Sequence, residues 1–162
     1  NFDPQHCAYA PQRAAYVGQF ARLRLGAGNP YLAYGRMADP PAMELPQTTY
    51  HWYHYNHGQK DPSYKARGSY RADAVVVSAF TDGEDGYALF LANAGQETST
   101  LSFTVSNRSL RLSEGDKTMR LLTGFGGEGA PAMTDLGMLD REEERAVSVA
   151  LEPFGLAMLE IK

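Results

Sequence analysis

Apolar residues recur at helical spacing early in the chain and with a period of two later. Between Pro11 and Leu25, Ala14, Val17, Ala21 and Leu25 form one stripe, which Phe20 and Leu23 broaden. Gln12, Arg13, Gln19, Arg22 and Arg24 fall largely elsewhere. The spacing predicts an amphipathic helix. Gly26 is placed to stop it, and Asn29-Pro30 reads as a fresh N-cap with proline in the first turn, predicting a short helix through about Arg36. Pro40, Pro41 and Pro46 prevent the helix from continuing, because proline lacks an amide donor and restricts the residue before it. Residues 38–46 therefore read as a linker or an extended edge segment.

After Thr48 the alternation is that of strands. Thr48 to Tyr55 is β-prone through its aromatics. Ala74 to Phe80, with Val75-Val76-Val77, and Tyr87 to Ala92, apolar on both faces, read as central strands. Leu101, Phe103 and Val105 alternate with Thr100, Ser102 and Thr104, and Leu110 and Leu112 repeat the pattern beside Ser109 and Arg111. Met119 to Thr123, Ala146 to Leu151 and Phe154 to Ile161 complete a set of about eight strands. Turn signals separate them at Asp82 to Gly86, Asn93-Ala94-Gly95, Glu114-Gly115-Asp116 and Asp140 to Arg145. Parallel pairing would need crossover helices, which the pattern lacks. The expected fold is mainly β, an antiparallel β-sandwich preceded by one or two N-terminal helices. Residues 1–46 read as helical segment and proline-rich linker, and residues 47–162 as the sandwich.

Composition narrows the function classes. The chain has 162 residues, 43% of them hydrophobic and 21% charged, with a net charge of −4. That length and apolar content suit one core. The charge offers no footprint for nucleic acid or anionic lipid, and no apolar run approaches the roughly 20 residues of a membrane helix. Neither partner is expected. Cys7 is the single cysteine, so no internal disulfide can form. A chain opening on Asn1 reads as processed or as part of a longer protein.

Several motifs invite chemistry. Gly124-Phe125-Gly126-Gly127-Glu128-Gly129 matches G-x-G-x-x-G in form, but Ala130-Pro131-Ala132 continues the loop where a phosphate-binding helix should begin, so an inter-strand loop is expected. The segment His51-Trp52-Tyr53-His54-Tyr55-Asn56-His57 holds three of the four histidines and the only tryptophan. On a strand its histidines divide between two faces, a poor geometry for a metal. Its flat rings could instead stack on sugar rings, making Tyr50, Trp52, Tyr53 and Tyr55 the candidate carbohydrate-binding residues. The plainer reading is an aromatic edge strand packed against the preceding helices. Asp82-Gly83-Glu84-Asp85-Gly86 lacks the ligand series of a calcium loop and reads as a hairpin turn. Asn107-Arg108-Ser109 fits a glycosylation sequon. There is no G-x-S-x-G elbow, His6 and Cys7 are merely adjacent, and no acid pair stands in a context that predicts a shared cleft. No catalytic residue, metal or cofactor is expected.

The order of elements adds a resemblance. The helix Gln12-Arg13-Ala14-Ala15-Tyr16-Val17 through Arg24, then Tyr31 to Met37, a proline-rich passage and an all-β remainder resembles the end of a glycoside-hydrolase-type protein. In that arrangement the last helix of a (β/α)8 barrel leads into a C-terminal β-sandwich. Ser78 to Asn93 looks like the sandwich's central hairpin, and Val147 to Leu159 like its last strand pair. The resemblance implies a carbohydrate-active parent, with a catalytic barrel of the same protein as partner and a saccharide as possible ligand. It places the family's catalytic carboxylates at barrel strand ends, for which this chain has no matching positions. The leading expectation is thus a non-catalytic accessory domain, its helical stripe covering a sheet here or facing the barrel. The alternatives are a carbohydrate-binding module or a protein-interaction sandwich.

Overall fold

The computed structural model describes residues 11–53, 66–113, 115–127 and 129–162. Helix α1 (Pro11–Leu25) and the short α2 (Asn29–Leu32) lead into β1 (Arg36–Ala38), β2 (Gln47–Tyr53), β3 (Ala66–Asp73), β4 (Val75–Thr81), β5 (Tyr87–Asn93) and β6 (Ser99–Val105). Then follow the one-turn helix α3 (Asn107–Leu110), β7 (Lys117–Thr123), β8 (Ala132–Leu139), β9 (Arg145–Leu151) and β10 (Leu156–Ile161). Six strands form one antiparallel sheet in the order β1-β4-β5-β10-β7-β8. β6 pairs with β9, and β2 with β3.

Strand β5 explains the layering. All seven of its residues are buried. Tyr87, Leu89 and Leu91 join Val75, Leu159 and Ile161 on one face of the large sheet and meet Leu101, Phe103, Val105, Val147, Val149 and Leu151 from β6 and β9. This is the sandwich core, and the strict inside-outside alternation of β6 and β9 makes them its lid. Ala88, Phe90 and Ala92 point the other way, joining Met158, Leu156, Leu122, Phe125, Leu23 and Tyr31. A strand that feeds two cores must be apolar at every position, as Tyr87 to Ala92 is.

The helical segment closes the second face. The main-chain amides of Gly26 and Gly28 bond the carbonyls of Arg22 and Leu23, ending α1 where Gly26 predicts. Gly28, not Asn29, caps α2, which ends at Leu32 instead of continuing to Arg36. The reason is Gly35: a β-carbon there would collide with the carbonyl oxygens of Tyr31 and Thr81. That close approach lets the chain turn directly into β1, which pairs with β4 along the sheet edge. The proline-rich stretch that follows is extended and touches β6 through a bridge between Met43 and Phe103.

Three further departures have local causes. Leu110 and Leu112 do not form a strand, because Ser106 and Ser109 cap one another and wind residues 107–110 into α3, which ends on the left-handed Arg111. The two closing strands are not partners: β9 belongs to the lid and β10 to the large sheet. Their connection is pinned by fully buried Asn93, whose amide donates to the carbonyls of Glu97, Leu151 and Glu152. β3 and β8 lie where no strand is expected. The Asp82 turn is the expected hairpin, its carboxylate accepting from the amides of Glu84 and Gly86.

Candidate functional site

The aromatic segment is only partly within the described residues. Tyr50, Trp52 and Tyr53 lie on β2, and Tyr55 falls outside the described residues, as do His54 and His57. β2 pairs with β3 so that Tyr50 stands opposite Tyr70 and Trp52 opposite Gly68, with the register shifting between Trp52 and Tyr53. The Tyr50 and Tyr70 rings stack, their centroids 5.5 Å apart and their planes at 25°. The Tyr50 hydroxyl donates to the Asp73 carbonyl at 3.0 Å, fixing its ring, and burial followed by the neighbouring Tyr70 and Asp73 raises its pKa. Tyr70 stays 56% exposed. The sequence does not announce this partner, because β3, ARGSYRAD, has no apolar alternation.

The second feature is α1. Its inward residue is Leu23, 2% exposed, supported by half-buried Tyr16, whose ring meets Phe20 at 4.9 Å and Phe154 at 5.8 Å. Burial, then proximity to Tyr50, raises the Tyr16 pKa. Two polar residues also bind the helix to loops: Gln19 Nε2 donates to the Phe154 carbonyl at 3.0 Å, and Arg22 to that of Gly127 at 2.9 Å. Of the stripe expected to cover a sheet or face a barrel, Leu23 is buried, whereas Val17 is 50%, Phe20 41% and Leu25 80% exposed. Helical geometry accounts for this, since Tyr16 and Leu23, two turns apart, define one face and leave Val17 and Leu25 beyond its edges.

Below α1, Tyr31 is fully buried and clips the helical segment to the last strand. Its hydroxyl donates to Glu160 Oε1 at 3.0 Å; Lys162 pairs with the same oxygen at 3.2 Å and stands over the Tyr31 ring at 5.5 Å. Burial, then the charge and hydrogen bond of Glu160, drives the Tyr31 phenol pKa strongly upward. Tyr87 is raised by burial and by Asp39, whose carbonyl accepts its hydroxyl.

The remaining motifs resolve structurally. Gly124 to Gly127 turns between β7 and β8 and buries Phe125 in the helical-side core. Asn107 of the sequon is buried, its amide donating to the Gly115 carbonyl, while Ser109 is engaged in the α3 cap. The folded chain thus shields the acceptor nitrogen. A shallow depression of about 530 Å³ beside it is lined by Arg108, Ser113, Arg141 and Glu142 among others. Among the described residues, no group of three or more His, Cys, Asp or Glu could hold a metal.

No protein-family model matches the sequence, and comparison with curated proteins finds no match. Among solved structures the chain is similar to a Bacillus halodurans protein provisionally assigned as an α-N-acetylgalactosaminidase, with 20% identity, a TM-score of 0.37, and coverage of 57% of this chain and 18% of that one. It is similar to a GH27 β-L-arabinopyranosidase from Geobacillus stearothermophilus, with 22% identity, a TM-score of 0.35, and the same coverages of 57% and 18%. A GH51 α-L-arabinofuranosidase shares 14% identity at a TM-score of 0.36, over 55% of this chain and 15% of that one. The chain spans less than a fifth of each of these proteins. Likenesses at this level carry no residue role or activity to this chain.

Proposed function

We propose that this chain is a non-catalytic β-sandwich accessory domain of a carbohydrate-active enzyme, and that it supports a catalytic barrel through α1. The carrying observation is that α1 has two apolar faces. One, through Leu23 and Tyr16 with Phe20 packed at its border, seals the second face of the large sheet; the other, through Val17 and Leu25, is open. Burying side chains of this kind contributes roughly 1.5 to 3 kcal/mol each, so leaving Val17 and Leu25 open favours a neighbouring body. A helix ahead of a sandwich and packed on it also agrees with the element order from which a barrel partner is expected.

The test is the coding sequence upstream of Asn1. Eight βα units followed directly by α1 are the expected result. A start codon and signal peptide immediately before Asn1 would overturn the proposal and leave self-association or a separate partner as the use of the open face.

A further inference from the structure

We infer that Tyr50 and Tyr70 form a stacking platform for the apolar face of a neutral saccharide ring, an assignment independent of the barrel proposal. The two tyrosines come from adjacent strands, directly opposite in register, with near-parallel rings. Tyr50 is the anchored member, held by its hydrogen bond to Asp73, and Tyr70 presents most of its ring to solvent. Strand alternation sets the neighbours on that face. Thr48 pairs with Ala72, and position 52 pairs with Gly68, so both cross-strand positions flanking the rings on β3 are small. On β2 the flanking positions are Thr48 and Trp52, and Tyr16 of α1 comes near Tyr50, so Tyr70 is the ring that stands open to a flat ligand.

The chemistry around the rings favours a polyhydroxylated ligand over an apolar peptide. Thr48 and the two phenols offer hydroxyls, and Gln47 and Asp73, hydrogen-bonded to each other, stand at the end of the same hairpin. Among the described side chains, the tyrosine face carries no aliphatic residue larger than Ala72, whereas a helix-in-groove or protein-core partner needs several. Aromatic carbon for the C–H face of a sugar, bordered by hydroxyl donors and acceptors, is the composition of a saccharide contact. The platform keeps Tyr50 from the sequence expectation and adds Tyr70.

Affinity electrophoresis of the full chain through gels containing galactomannan, arabinogalactan, xylan or β-1,3-glucan tests the inference. Retardation by at least one polysaccharide is expected, weakened about tenfold in Tyr70→Ile, which keeps an apolar β-forming residue but removes the flat ring, and retained in Tyr70→Phe. Circular dichroism and melting temperature identify variants that still fold. The only tryptophan, Trp52, supplies a second readout, and its emission should change when a retarding polysaccharide is added. Absence of retardation in all four gels, or equal retardation of wild type and folded Tyr70→Ile, would overturn the assignment.

Discussion

The two faces of the six-stranded sheet are closed in different ways. On one side β6 and β9 lay a continuous lid whose inward residues alternate without interruption: Leu101, Phe103 and Val105 against Val147, Val149 and Leu151. On the other side the cover is assembled from separate anchors, Leu23 from α1, Tyr31 from α2 and Phe125 from a glycine-rich turn, with polar tethers from Gln19 and Arg22. The strand lid buries one face and exposes only small or polar residues, Thr100, Ser102, Thr104, Ala146, Ser148 and Ala150, on the other. The helix buries one apolar stripe and still exposes a second. A lid of the first kind finishes a fold, while a cover of the second kind can join it to something else.

The comparison makes quantitative demands. The largest effect should come from Leu89→Ala in the sandwich core. Leu89 is fully buried beneath the continuous lid, where the cavity cannot collapse, and a loss of about 3 to 5 kcal/mol is expected by denaturant unfolding. Leu23→Ala, on the assembled side, should cost less, about 2 kcal/mol, because the helix can settle toward the sheet. Equal costs would erase the distinction between the two covers. Asn93→Ala should fall between them at about 2 to 3 kcal/mol, since it removes a donor from three carbonyls where β9 crosses to β10, of which that of Glu152 keeps the Gly155 amide.

Tyr31→Phe sharpens the helical side further. Losing the donor to Glu160 should cost about 1 to 2 kcal/mol and loosen residues 11–32 selectively, visible as faster amide exchange there than in β6 or β9. The pH dependence has a definite sign. Tyr31 and Tyr87 have pKa values raised by folding, so the fold favours their neutral phenols. Their contribution is complete below the ordinary tyrosine pKa of about 10 and is lost as pH rises above it. An ultraviolet titration should show both phenols ionising only as the chain unfolds in alkali; reversible ionisation with the fold intact would contradict the burial described.

What the sequence disclosed depended on whether one local rule acted alone. β5, β6 and β9 were legible because their patterns follow from burial on two faces or one. Leu110 and Leu112 misled because a capping pair, Ser106 and Ser109, outweighs a two-residue alternation. β8 was hidden by exposure along nearly its whole length and by the register shift opposite Gly137 and Asp135. The helix was legible but its buried face was not, because α1 carries apolar residues nearly all round and only tertiary contact with Phe154 and the sheet selects Leu23 over Val17. The tyrosine pair was half visible for the same reason: Tyr50 stood in a conspicuous run, whereas Tyr70 acquires its partner only through strand pairing.

The open face of α1 is the central claim, and light scattering of the 162-residue chain against its Val17→Asp/Leu25→Asp variant tests it most directly. Wild type should show a mass that climbs with concentration, while the variant stays at 17.8 kDa and keeps the same melting temperature. A wild type that holds 17.8 kDa at every concentration, or a variant that unfolds, would show instead that this face is either inert or already part of the fold.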